Sequence, residues 1–106
     1  MNINENPEEI WIGLAKVQST KEMGVLENAK NAYVNVLGLA RNKIEFRKKV
    51  KDELLKLELT LNRLEEIQIF KDRIKEYSVD KSIHNLAKKI NNKNKKILFS
   101  TFHTFP

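Results

Sequence analysis

An all-α architecture is the fold class this sequence predicts, and three observations predict it. Between Leu39 and Phe105 the chain has neither glycine nor proline, so helix breakers are missing from most of its length. Leucine, isoleucine, lysine and glutamate fill that stretch at steps of three and four, the period of one helix face. Val50 to Tyr77 is apolar on two sides, which suits a helix touching two neighbours. The expectation is a long helical hairpin, or one extended coiled-coil-like helix, with short N- and C-terminal helices, completed by oligomerisation.

Taken in order, Asn6, Pro7, Glu8 and Glu9 form a helix-start signature: an Asn cap, a Pro preset for the first turn, and acids that suit the positive helix end. Ile10, Leu14 and Val17 follow at helical spacing, with Trp11 and Ala15 beside them, and predict a short helix over 7–17. Ser19, Thr20, Lys21 and Glu22 match a capping box and open a second helix. Leu26, Ala29, Tyr33, Val36, Ala40 and Ile44 continue it on one face, and Gly38 marks either a close crossing or a bend. Asn42 is the one turn-forming residue between Arg41 and Lys51, the point where a hairpin would bend.

Beyond it, Val50, Leu54, Leu57, Leu61 and Leu64 step by four and three like a heptad seam. Ile67, Phe70, Ile74 and Tyr77 make a second seam roughly opposite, with Leu55 and Leu59. All nine seam residues are expected at an interface between subunits of a homo-oligomer. Asp80 caps a last weak helix with Ile83, Leu86 and Ile90 as its stripe. Residues 1–90 are thus expected as one helical domain, and 91–106 as a basic and aromatic tail that starts with a polar loop and ends in Phe99, Phe102 and Phe105.

At 106 residues the chain is about one domain, too small for a large substrate cavity. Its 41% hydrophobic content is too high for a disordered chain, and no apolar run approaches the ~18 residues of a membrane span. Zero cysteines exclude disulfides, thiolate catalysis and cysteine-type zinc sites. No signal peptide is read at the N-terminus, and the expected compartment is the cytoplasm.

The net charge of +6 is unevenly placed: −2 over residues 1–40, +2 over 41–80 and +6 over 81–106, where six lysines meet no acid. Lysine outnumbers arginine sixteen to four, a balance that suits AT-rich codon usage better than bidentate phosphate recognition. The only histidines, His84 and His103, lack a nearby set of ligands or a carboxylate to orient them. No catalytic residues, metal ligands or cofactor motifs are assigned. Glu8–Glu9 and Glu65–Glu66 are read as helix-start and solvated surface charge. The tripeptide Trp11-Ile12-Gly13 resembles the Trp-x-Gly turn of the small secreted WXG helical hairpins in two residues. Its place near the chain start points instead to a core tryptophan.

Smallness, absent chemistry and surplus apolar surface predict a small non-enzymatic interaction protein, bacterial or phage, that works by binding another protein as inhibitor, immunity or adaptor proteins do. Lys93, Lys95, Lys96, Phe99, Phe102 and Phe105 are its expected partner-binding residues. The alternative is a basic nucleic-acid-binding protein contacting phosphates through Arg41, Lys43, Arg47, Lys48, Lys49 and Lys51, and through Lys88 and Lys89 in a second cluster over 88–96. Membrane binding is not expected.

Overall fold

The computed structural model describes residues 7–20, 26, 29–90 and 96–105. The chain is a mixed α/β protein, so the all-α class, the helical bundle and the coiled coil are all overturned. Its elements run β1 (Glu9–Ser19), β2 (Asn31–Ala40), α1 (Lys43–Lys56), β3 (Leu59–Ile69), α2 (Phe70–Glu76), α3 (Lys81–Lys89), β4 (Leu98–Phe99) and β5 (His103–Phe105). The sheet order is β3-β1-β2-β4, with β5 also paired to β2. Each pairing is antiparallel. Because β2 and β3 both run against β1, they are parallel to each other, and α1 carries the chain from one to the other across β1.

The segment expected as helix 7–17 is strand β1. Ile10, Leu14 and Val17 share a helical spacing but not a face. Trp11, Ala15 and Val17 join the larger core under α1, whereas Ile10 and Ile12 join a second core under α2 and α3. A strand buried on both faces loses its period-2 alternation and reads as a continuous apolar run. The expected second helix meets the same correction. Its stripe from Tyr33 to Ala40 is β2, where Ala32, Val34 and Val36 face α1 while Leu37 and Leu39 face the other way. Val34, Val36 and Tyr33 suit a pleated strand better than a helix. Trp11 is a core tryptophan, as the sequence suggests, but it sits in a strand. The Asn6 cap, the Lys21–Glu22 half of the capping box and the loop over 91–95 lie outside the described residues.

The supposed rod from Val50 to Tyr77 is three elements. Helix α1 stops at Lys56, and Leu57 and Glu58 turn the chain, Glu58 with left-handed backbone at φ 61°. Strand β3 then carries two irregularities in its pairing to β1, between Lys16 and Val17 and between Ile12 and Leu14. Each inserts an extra residue, so the core-facing side chains Leu61, Leu64 and Ile67 recur every three positions. A bulged strand thereby imitates helical spacing.

Of the expected helices the last holds, and the long one survives only as the separate helices α1 and α2. Lys81–Lys89 is helical; of the expected stripe Ile83 and Ile90 are buried and Leu86 is half-buried, and Asp80 stands at the cap position but its side chain makes no capping hydrogen bond. Asn42 does mark a change of direction, as the N-cap of α1, its side chain accepting the Glu45 N–H at 2.8 Å.

Packing explains why α1 sits where it does. Phe46, Val50 and Leu54, each four residues on, are all 0% exposed against the sheet. Burial of this kind contributes about 2 kcal/mol per side chain. Small residues in the sheet give the helix room: a Cβ at Gly13 would meet Phe46 Cε2 at 3.3 Å and Leu64 Cδ1 at 3.0 Å. The aromatic tail docks on its own domain. Phe99 and Phe102 pack on the larger core, and Phe105 stacks on Tyr33 with centroids 5.1 Å apart. Among the described residues no helix is long and apolar enough to cross a membrane.

Candidate interaction surface

Helix α1 buries one flank and presents the other. At 100° per residue, Lys43, Ile44, Arg47, Lys48, Lys51 and Leu55 fall within an outward arc of about 140°. All six are exposed, Ile44 at 83% and Leu55 at 52%. Arg41 extends the arc just before the cap. Two of the helix's acids, Glu45 and Glu53, are engaged with their own neighbours, while Asp52 is exposed about 40° beyond Lys48 and borders the arc. Glu45 accepts the Arg41 backbone N–H and pairs with Lys49 at 3.1 Å, and Glu53 pairs with Lys56 at 2.9 Å. That hydrogen bond and charge hold the Lys56 ammonium above the ordinary lysine range.

The cations divide accordingly. Lys49 is committed to Glu45, to Glu8 at 3.7 Å and to the Leu39 carbonyl at 2.9 Å. Arg47 only reaches the Leu64 carbonyl, at 3.5 Å. Arg41, Lys43, Lys48 and Lys51 make no ion pair among the described residues. The outer side of α1 is therefore a cationic strip whose Arg41, Lys43, Lys48 and Lys51 have no ion-pair partner among the described residues, bordered by Asp52 and with an isoleucine and a leucine set into it.

At the start of the strip lies a hollow of about 610 Å³ lined by Pro7, Glu9, Trp11, Arg41, Asn42, Lys43, Ile44 and Ile69. Its floor comes from the β1–β3 pairing, which puts Trp11 opposite Ile69. The indole N–H already donates to the Ala40 carbonyl at 2.9 Å, so Trp11 offers the hollow carbon rather than a donor. Glu9 is neutralised by Lys71 at 3.2 Å. On the other flank, Lys49, Asp52, Glu53, Lys56, Lys96 and Ile97 line a groove of about 660 Å³ in which both signs of charge mix.

The remaining predicted positions scatter. Val50 and Leu54 are fully buried in their own chain and so are not available to a second subunit. Leu57, Leu61, Leu64 and Ile67 belong to the same core, Phe70 belongs to the second core, and only Ile74 and Tyr77 are exposed, at 42% and 59%. Of the tail positions, Lys96 is exposed, and Lys93 and Lys95 lie outside the described residues. Lys88 and Lys89 end α3, on the sheet face opposite α1, so the two basic clusters do not form one surface. His84 lies edge-on to Phe70 at 5.7 Å, and no described group of three His, Asp or Glu side chains is placed to hold a metal ion.

The hollow was not visible in the sequence, because it needs β1 beside β3. The helical stripe expected from Leu26 to Ile44 puts Ile44 inside, whereas it is 83% exposed. Its position two residues after a capping Asn and two before the inward Phe46 was the one signal that it faces out. Comparison with protein-family models, curated proteins and solved structures returns no match for this chain.

Proposed function

We propose that this chain is a non-enzymatic binding protein, of inhibitor, immunity or adaptor type, that occupies an acidic face of another protein with the outer side of α1. One observation carries the reading: Arg41, Lys43, Lys48 and Lys51 make no ion pair among the described residues, and Ile44 and Leu55 stand exposed among them. Cations of this kind steer an acidic partner into encounter, and apolar residues within the patch supply burial on contact. A phosphate backbone would use the cations and leave the isoleucine and leucine with nothing to bury against, which favours a protein over a nucleic acid. The phenylalanines of the tail are absorbed by the chain's own sheet, so the contact surface moves from the tail to α1.

The test is affinity capture from the native host, with and without nuclease, using the wild type and a Lys43→Glu/Lys51→Glu variant. Both sites are exposed, so the variant should keep its fold to within about 0.5 kcal/mol. A protein retained by the wild type after nuclease and lost by the variant is the expected result. Capture abolished by nuclease, with binding that falls steeply between ~50 and ~200 mM salt, would transfer the surface to nucleic acid.

A further inference from the structure

The hollow at the head of α1 has the form of an anchor site. Buried Trp11 and half-buried Ile69 give it its floor, and exposed Ile44, Arg41 and Lys43 line it nearer the solvent, with Glu9 also in the lining. Three of the polar side chains in its lining already carry a contact. The Trp11 N–H is bound to Ala40, the Asn42 side chain caps Glu45, and the Glu9 carboxylate is paired with Lys71. What remains is an apolar floor beneath two cations that have no counter-ion among the described residues.

Resting on the protein-binding reading above, we infer that this hollow receives one apolar side chain, aliphatic or aromatic, from a segment of the partner protein in which that residue is flanked by carboxylates. Charge complementarity selects the segment. A lysine- or arginine-flanked residue would meet Arg41 and Lys43 as like charges, and a polar residue would find no free partner on the floor. Apolar anchors filling a pocket inside a charged rim carry most of the energy of such contacts.

Trp11 is the sole tryptophan of the chain and lies on the floor of the site, so its indole N–H resonance and its fluorescence report occupancy directly. The full-length protein is titrated with two synthetic hexapeptides, Asp-Glu-Phe-Leu-Glu-Asp and Asp-Glu-Ser-Ser-Glu-Asp, both blocked at their ends. The Phe-Leu peptide is expected to shift the Trp11 signals and to bind at least about tenfold more tightly than the Ser-Ser peptide, a difference of about 1.4 kcal/mol. Ile44→Ser should remove that tenfold preference, while Arg41→Gln/Lys43→Gln should weaken both peptides.

No Trp11 response up to about 1 mM peptide, or equal affinity for the two peptides, would overturn the inference. So would a Trp11 shift produced by protein concentration without peptide, which would seat a second copy in the hollow. A shift on deleting residues 1–6 would also overturn it, by seating the chain's own first residues there. Capture from the host separates this inference from the reading beneath it. Loss of the partner in Lys43→Glu/Lys51→Glu but not in Ile44→Ser would sink the hollow and keep the α1 surface. A partner retained by every variant would sink both.

Discussion

Ile97 lies directly over Gly38. A Cβ at position 38 would overlap Ile97 Cδ1, and the Ile97 Cα would stand only 3.5 Å from it. The bare backbone of β2 at this point lets the incoming C-terminal segment cross onto the α1 side, where Ile97 is buried. Gly38→Ala should therefore cost about 1 kcal/mol, and Gly38→Val about 3 kcal/mol because a branched side chain also presses on the Ile97 backbone. In an Ile97→Ala background the Gly38→Ala change should become neutral or stabilising. Urea unfolding of the four proteins measures the coupling, and additive effects would show that the two residues do not touch.

Glu66 holds left-handed backbone at φ 53° within a bulge of β3. Its carbonyl accepts Arg73 Nη2 at 2.8 Å, and Arg73 Nε donates to Gln68 at 2.9 Å, so α2 is tied to the bulge through the backbone. Left-handed geometry costs a non-glycine residue about 1–2 kcal/mol, against about 0.5–1 kcal/mol of extra unfolded-chain freedom for glycine. Glu66→Gly should accordingly raise stability by up to about 1 kcal/mol, although the Glu66–Arg73 carboxylate contact at 3.8 Å is lost. A fall in the urea midpoint would contradict the bulge.

Phe46 and Ile44 are two positions apart on α1 and have opposite fates, the first 0% exposed and the second 83%. Phe46→Ala should cost about 3–5 kcal/mol, enough to unfold much of a small domain. Ile44→Ala should change stability by less than about 0.5 kcal/mol. Similar losses at both positions in thermal unfolding would mean that the helix is rotated from the orientation described.

Asn42 caps α1 and so fixes where the cationic strip begins. Asn42→Ala removes the acceptor for the Glu45 N–H and should cost about 1 kcal/mol, lowering the melting temperature by about 4–8 °C. Asn42→Asp keeps an acceptor at the positive end of the helix and should leave the melting temperature nearly unchanged.

How much of this was legible in the sequence depends on where the punctuation fell. The rule that turns need Gly, Pro or Asn failed because the left-handed positions among the described residues, Glu58 and Glu66, are both glutamates. The rule that strands alternate failed because β1 and β2 are covered on both faces along part of their length, with Leu37 and Leu39 on one side and Val36 and Ala40 on the other. The rule that steps of three mean helix failed in β3, where bulges space Leu61, Leu64 and Ile67. Where these complications are absent the sequence spoke clearly, as at Ile83 in α3 and Ile90 just after it. The cations of α1 were recognisable as a cluster. Their grouping on one arc, with Asp52 at its border and Glu53 off it, required knowing which flank Phe46, Val50 and Leu54 bury. Those same buried residues removed the basis for a leucine seam between subunits.

The position of β1 between two strands that arrive at different times has a consequence during synthesis. A ribosome adding about 5–20 residues per second needs roughly 1–6 s to go from Ala40, where β2 completes its pairing with β1, to Ile69, the end of β3. For that interval the nascent chain owns a hairpin whose inner strand lacks its second neighbour, an invitation to foreign strands until the helix crossing delivers the missing one. Newly made copies of this protein are therefore expected to lean on a chaperone most heavily in those seconds, and truncations before Leu59 to aggregate where the full chain does not.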